Sequence, residues 1–276
     1  MQQRLTLALL TKGHLRVTSG AAKGEVSLYL LSGIATAPRF MEGFRSALHG
    51  ALRREGYEVA TSELMFPYGN WSRRIVPQLW EIGRDMRRNP RKTGRSIGGR
   101  RAIAAIGESR RSLGLSASSG KGRTILVGHS GGGVAAVHAA MQLIEQDGEA
   151  PSPLVVMIGS PRCRIPEQLR HSVLYVYATP PGTSTGSGRI SDAICKLGSF
   201  GGWGGGSDVD FAGRASRRSF PGWNHNKYGP GGACGVPIIG WHPDYFREQP
   251  PYVNRMGLSN QWLTLHAVWE WLRGKI

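Results

Sequence analysis

Cysteine is scarce in this chain, with three residues in 276: Cys163, Cys195 and Cys234. Their number is odd, they lie far apart, and none belongs to a Cys-x-x-Cys pair. That excludes a disulfide scaffold and a zinc ribbon, and no metal site is expected. Acidic residues are also few, 18 against 35 Lys and Arg, which gives a net charge of +17 and a pI near 10.6. Such a balance favours polyanionic surfaces and aids solubility. Long apolar runs are missing too. The N-terminus offers only Leu5 to Leu10, broken by Thr6, before Lys12. This is too short and polar for a signal peptide or a membrane span, so a cytoplasmic location is expected. Aromatic residues make up 8% of the chain and are not interleaved with its basic residues. Nothing therefore points to a nucleic-acid partner.

The chain does contain an alternation of strands and helices. Val26–Leu31 is an apolar strand followed by Ser32-Gly33-Ile34-Ala35. Phe40, Phe44, Ala47, Leu48 and Ala51 then share a helical face that Gly56 ends. Tyr57–Leu64 is the next strand. Ile75, Leu79, Ile82 and Met86 repeat at helical spacing, and a further helix is expected around Arg100–Ile106. Between Arg84 and Arg111 lie Arg87, Arg88, Arg91, Lys92, Arg95, Arg100 and Arg101, read as a solvated helical face. Thr124–Val127, Leu154–Ile158 and Val173–Tyr177 are continuous β-rich runs, as parallel strands covered on both faces require. Val236–Ile239 reads as a last edge strand, because of Pro237, and a final helix starts near Ser259 with Leu265, Val268, Trp269 and Leu272 on one face. The pattern predicts an α/β fold with a doubly wound, mostly parallel sheet in a single domain over 1–276, preceded by an extension or edge strands over 1–25. The Gly- and aromatic-rich stretch 179–235 breaks the rhythm and reads as an insertion forming a lid or pocket wall, with Trp203 and Trp223 as substrate-binding residues.

The chemistry centres on Gly128-His129-Ser130-Gly131-Gly132, a G-x-S-x-G string set between a strand and a helix. Glycines on either side let the backbone turn sharply and present the serine hydroxyl at the carboxyl end of the sheet. A serine hydroxyl attacks only when a base takes its proton and a carboxylate orients that base. His242, after the last strand and before the final helix, is the expected base. His225, His266, His129 and His138 suit loop or packing roles better. Asp192 is the first carboxylate after the Val173–Tyr177 strand, with Asp208 and Asp210 as alternatives. The amides of Ile34 and Gly131 are the expected oxyanion donors.

Ser130, Asp192 and His242 in that order, with Gly33-Ile34 before them, resemble the α/β-hydrolase superfamily and its lipase- and esterase-like members. The chain departs from many lipases in having Ser32-Gly33 where they carry His-Gly, and its acid comes late. The resemblance implies esters or thioesters as substrates, and the leading expectation is a cofactor-free serine hydrolase acting on a small-molecule carboxylic ester. The alternative is a non-catalytic or acyl-transferring protein on the same scaffold, with the Arg-rich segment holding an anionic partner.

Overall fold

The computed structural model describes residues 22–114, 122–148, 150–186, 188–204 and 222–276. Six strands form one parallel sheet: β1 (Gly24–Leu31), β2 (Tyr57–Met65), β3 (Arg123–His129), β4 (Leu154–Ile158), β5 (Val173–Ala178) and β8 (Gly232–Val236). Their order is β2-β1-β3-β4-β5-β8. A separate antiparallel pair, β6 (Gly202–Gly204) and β7 (Gly222–Asn224), belongs to the 179–235 stretch. The helices are α1 (Glu42–Arg54), α2 (Ile75–Met86), α3 (Ile97–Ser112), α4 (Gly131–Gln146) and α5 (Asn260–Arg273).

Both faces of the sheet are covered, and the alternation of side chains along β1 shows how. Val26, Leu28 and Leu30 point into one core with Phe44 and Leu48 of α1 and Leu263, Val268 and Leu272 of α5. Tyr29 and Leu31 point into a second core with Ile82 of α2, Ile106 of α3 and Val134 and Val137 of α4. A strand whose successive residues face two apolar layers has no polar side, which explains the continuous hydrophobic runs.

The last strand differs from expectation. It occupies Gly232–Val236, and Pro237 follows it instead of lying inside it. Proline has no N–H to donate to a ladder, so pairing with β5 stops at Val236. Most of the expected N-terminal extension lies outside the described residues, and β1 begins at Gly24.

Helix α2 follows the expected pattern only in part: Ile82 and Met86 turn to the core, Ile75 and Leu79 do not. Its buried residues are Gln78, Glu81, Ile82 and Asp85, while Ile75, Val76, Leu79 and Trp80 are 50–76% exposed. The inward polar groups are satisfied. Glu81 accepts from Arg73 and Arg101 at 2.6–3.1 Å. Asp85 accepts from the Tyr68 hydroxyl at 3.0 Å and from the amides of Ile97 and Gly98, which open α3. Buried charge is tolerated only when paired and hydrogen-bonded, and both carboxylates meet that condition. Arg88 and Arg101 of the basic run are therefore partners of these acids and not merely solvated.

Candidate active site

The strand order places β1 beside β3, and the connections after these two strands leave to opposite faces. In open α/β sheets the crevice between such diverging loops, at the carboxyl ends, is where ligands bind. Here the two loops carry Gly33-Ile34 and Ser130-Gly131.

Ser130 has φ +55° and ψ −132°, a conformation that non-glycine residues rarely adopt and that stores strain of order 1–3 kcal/mol. The turn closes because its neighbours lack side chains. A β-carbon on Gly132 would collide with the Leu31 carbonyl of β1, and one on Gly33 would fall 2.5 Å from Ser130 Cβ and 2.9 Å from its Oγ. The Ser160 hydroxyl, just past β4, donates to the Ser130 carbonyl at 2.8 Å and ties the turn down.

Gly33 also lies against Gly131, so the β1 loop and the start of α4 share one surface. Neither the Ile34 nor the Gly131 amide has a hydrogen-bond partner among the described residues. The loop is held from behind by Gln78. Its Oε1 accepts from the amide of Ala35, which sits at φ +48°, while its Nε2 donates to the carbonyls of Asn70 and Arg73. Ala35 is thus spent on Gln78, and Ile34 is left free.

His242 opens a short 3-10 turn, His242–Phe246. Its Nδ1 lies 2.8 Å from Asp192 Oδ2. In a neutral ring a carboxylate at that nitrogen holds the proton there and leaves Nε2 as an acceptor. Nε2 is buried and has no partner among the described residues. Asp192 comes late in sequence because the chain loops out and returns: the Ser191 amide donates to the Ala178 carbonyl, setting Asp192 at the end of β5. Its carboxylate also accepts from the Ile194 amide at 2.9 Å and the Tyr245 hydroxyl at 3.0 Å. Burial pushes this carboxyl up, but the His242 hydrogen bond and charge, with the Ile194 and Tyr245 donors, outweigh it and hold the group below its ordinary value.

His129, next to Ser130, stacks on His242 with ring centroids 4.8 Å apart. Its Nε2 donates to the His242 carbonyl at 3.1 Å. Burial, assisted by the neighbouring His242, lowers its pKa to about 3, so it stays neutral and does not compete with a charge on His242.

The structure thus gathers Asp192 and His242 directly, and sets His242 against the elbow of Ser130 through His129. Asp208 and Asp210 lie outside the described residues. Trp203 and Trp223 form a cross-strand pair on β6 and β7, their rings 5.7 Å apart, and their ring contacts are with each other and His225. No ring contact or hydrogen bond joins either tryptophan to Ser130, Asp192 or His242. His266 stacks on Trp262, and His138, on α4, is buried against Gly99 of α3. Three residues escaped the sequence reading: Tyr245, Gln78 and Ser160. Only Tyr245 left a signal, its position one turn after His242.

No protein-family model matches the sequence, and neither does any curated protein. Among solved structures the chain is similar to RedJ, a thioesterase from the prodiginine biosynthetic pathway in Streptomyces coelicolor, at 18% identity and a TM-score of 0.27. The match covers 53% of this chain and 48% of that one, about half the length of each. A superposition of that quality assigns neither relationship nor activity.

Proposed function

We propose that the protein is a serine hydrolase of the α/β-hydrolase type, lipase- or esterase-like, that cleaves carboxylic esters through an acyl-enzyme on Ser130. The observation that carries this reading is the Asp192–His242 pair, with Nδ1 engaged and Nε2 buried and without a partner among the described residues, stacked on His129, which precedes a serine at φ +55°. In this reading Nε2 takes the Ser130 proton as Oγ attacks the ester carbonyl. Asp192 holds the ring in the required tautomer and stabilises the imidazolium. The oxyanion of the tetrahedral intermediate is received by the amides of Ile34 and Gly131. Collapse expels the alcohol, protonated by His242, and a water activated by the same nitrogen releases the acid. No cofactor enters this sequence of steps.

A fluorophosphonate probe should label Ser130 alone, and Ser130→Ala should abolish both labelling and hydrolysis of p-nitrophenyl acetate while the circular dichroism spectrum stays native. Hydrolysis at near wild-type rate by the pure variant overturns the assignment.

A further inference from the structure

A cleft of about 460 Å³ opens between the end of α2 and the segment that follows Asp192, lined by Met86, Arg87, Arg164, Leu197, Gly198 and Ser199. We infer that it is an anion subsite, taking a carboxylate or phosphate group carried by the ester substrate at a distance from the scissile bond. This rests on the hydrolase reading above.

Two contacts tie the cleft to the elbow. Ile82 of α2 packs on Gly131, where a β-carbon would collide with it. Met86, one turn further along the same helix, packs on Gly198, whose β-carbon would lie 2.9 Å from Met86 Cε. One helical turn advances about 5.4 Å, which sets the cleft about one turn along α2 from the residue that packs on the elbow. The opposite wall leads to the site as well, since Leu197 to Ser199 follow the 3-10 turn Ile194–Lys196 directly after Asp192.

The lining has the chemistry of an anion clamp. Among the described residues no carboxylate lines the cleft. Arg164 is held in place: its Nε donates to the Gly201 carbonyl at 3.2 Å, and its guanidinium lies 5.9 Å from the centre of the Tyr228 ring. That fixes the plane of the fork and leaves both Nη groups without partners among the described residues. Arg87 is exposed and likewise unpaired, although its neighbours Arg88 and Arg101 are engaged with buried acids. Ser199 Oγ accepts from the Gly201 amide and keeps its own proton for donation. Two guanidinium groups and a hydroxyl lining one cleft suit the planar or tetrahedral oxygens of an anion, which a guanidinium binds in bidentate fashion. Met86 and Leu197 supply the apolar wall for the chain between anion and ester.

The test compares p-nitrophenyl half-esters of glutaric and suberic acid, and a p-nitrophenyl ester ending in phosphate, with neutral methyl-capped analogues of the same lengths. Wild-type kcat/KM should be about tenfold higher for a charged ester than for its neutral partner, through KM, and the gain should shrink in 0.5 M NaCl. In Arg87→Ala and Arg164→Ala the charged-to-neutral ratio should fall to about one. The preferred headgroup tells carboxylate from phosphate. Calorimetric titration of Ser130→Ala with octanoate and octyl phosphate separates the two ideas. Arginine-dependent binding without any ester hydrolysis keeps the subsite and sinks the hydrolase reading. Ester hydrolysis with a ratio near one in wild type, and no arginine-dependent binding, overturns the subsite.

Discussion

Tyr245 reaches Asp192 from the same short turn that carries His242, so one rigid segment delivers both the ring and a second donor to the carboxylate. Its hydroxyl accepts from the Ala178 amide at 2.8 Å and donates to Asp192 Oδ2 at 3.0 Å, which links the end of β5 to the acid. Gly159, at φ +56°, makes room for this ring at the end of β4. A hydrogen bond to a charged group is worth about 1.5–3 kcal/mol. Tyr245→Phe keeps the packing and deletes that bond, so kcat on p-nitrophenyl acetate should fall by about tenfold or more. Asp192→Asn should cost several orders of magnitude, because an amide no longer enforces the Nδ1–H tautomer. Steady-state kinetics check the ranking. A Tyr245→Phe enzyme within twofold of wild type would show that the phenol serves packing alone, and a mild Asp192→Asn would move the acid to Asp208 or Asp210.

At the scale of the element, α2 is where pattern and structure part. Apolar residues at helical spacing identify a helix correctly but do not say which face turns inward, and here a polar network decides. Gln78 holds the Ala35 amide, Glu81 gathers Arg73 and Arg101, and Asp85 caps the start of α3. Val76→Lys and Leu79→Lys should change stability by no more than about 0.5 kcal/mol, since both side chains are more than half exposed. Gln78→Leu, which adds hydrophobicity, should destabilise by about 1–3 kcal/mol by stranding the Ala35 amide and the Arg73 carbonyl. Urea denaturation measures all three, and the reverse order would refute the assignment of faces. The strands buried on both sides were legible because their apolar runs are continuous. The strand pair β6–β7 was not, being two three-residue pieces rich in glycine. At the site, the elbow and the chain order of acid and base could be read from local sequence. Tyr245, Gln78 and Ser160 could not, because they act on partners 53, 43 and 30 residues away and only the fold brings them there.

For the whole molecule, two buried histidines tie stability to pH. Burial lowers His129 from 6.5 to about 3 and His138 to about 4. Between those values and 6.5 the unfolded chain binds more protons than the folded one, so stability falls as the pH drops through this window. Each group contributes a slope of about 1.4 kcal/mol per pH unit there. Thermal melts should therefore show Tm falling steeply from pH 6.5 to 4.5, and His138→Gln should flatten the fall; an unchanged slope would mean that His138 is charged in the fold. The outer face of α2 has its own consequence at this scale. Ile75, Val76, Leu79 and Trp80 on α2, with Trp71 just before it, leave apolar side chains facing water on a molecule of charge +17. Mutual repulsion keeps such surfaces apart only while the field reaches past them. Its range contracts from about 10 Å in 0.1 M salt to about 3 Å in 1 M. Dispersion of this protein should thus depend on dilute electrolyte, and light scattering in concentrated salt should show the same surface turning from repelling its copies to adhering to them.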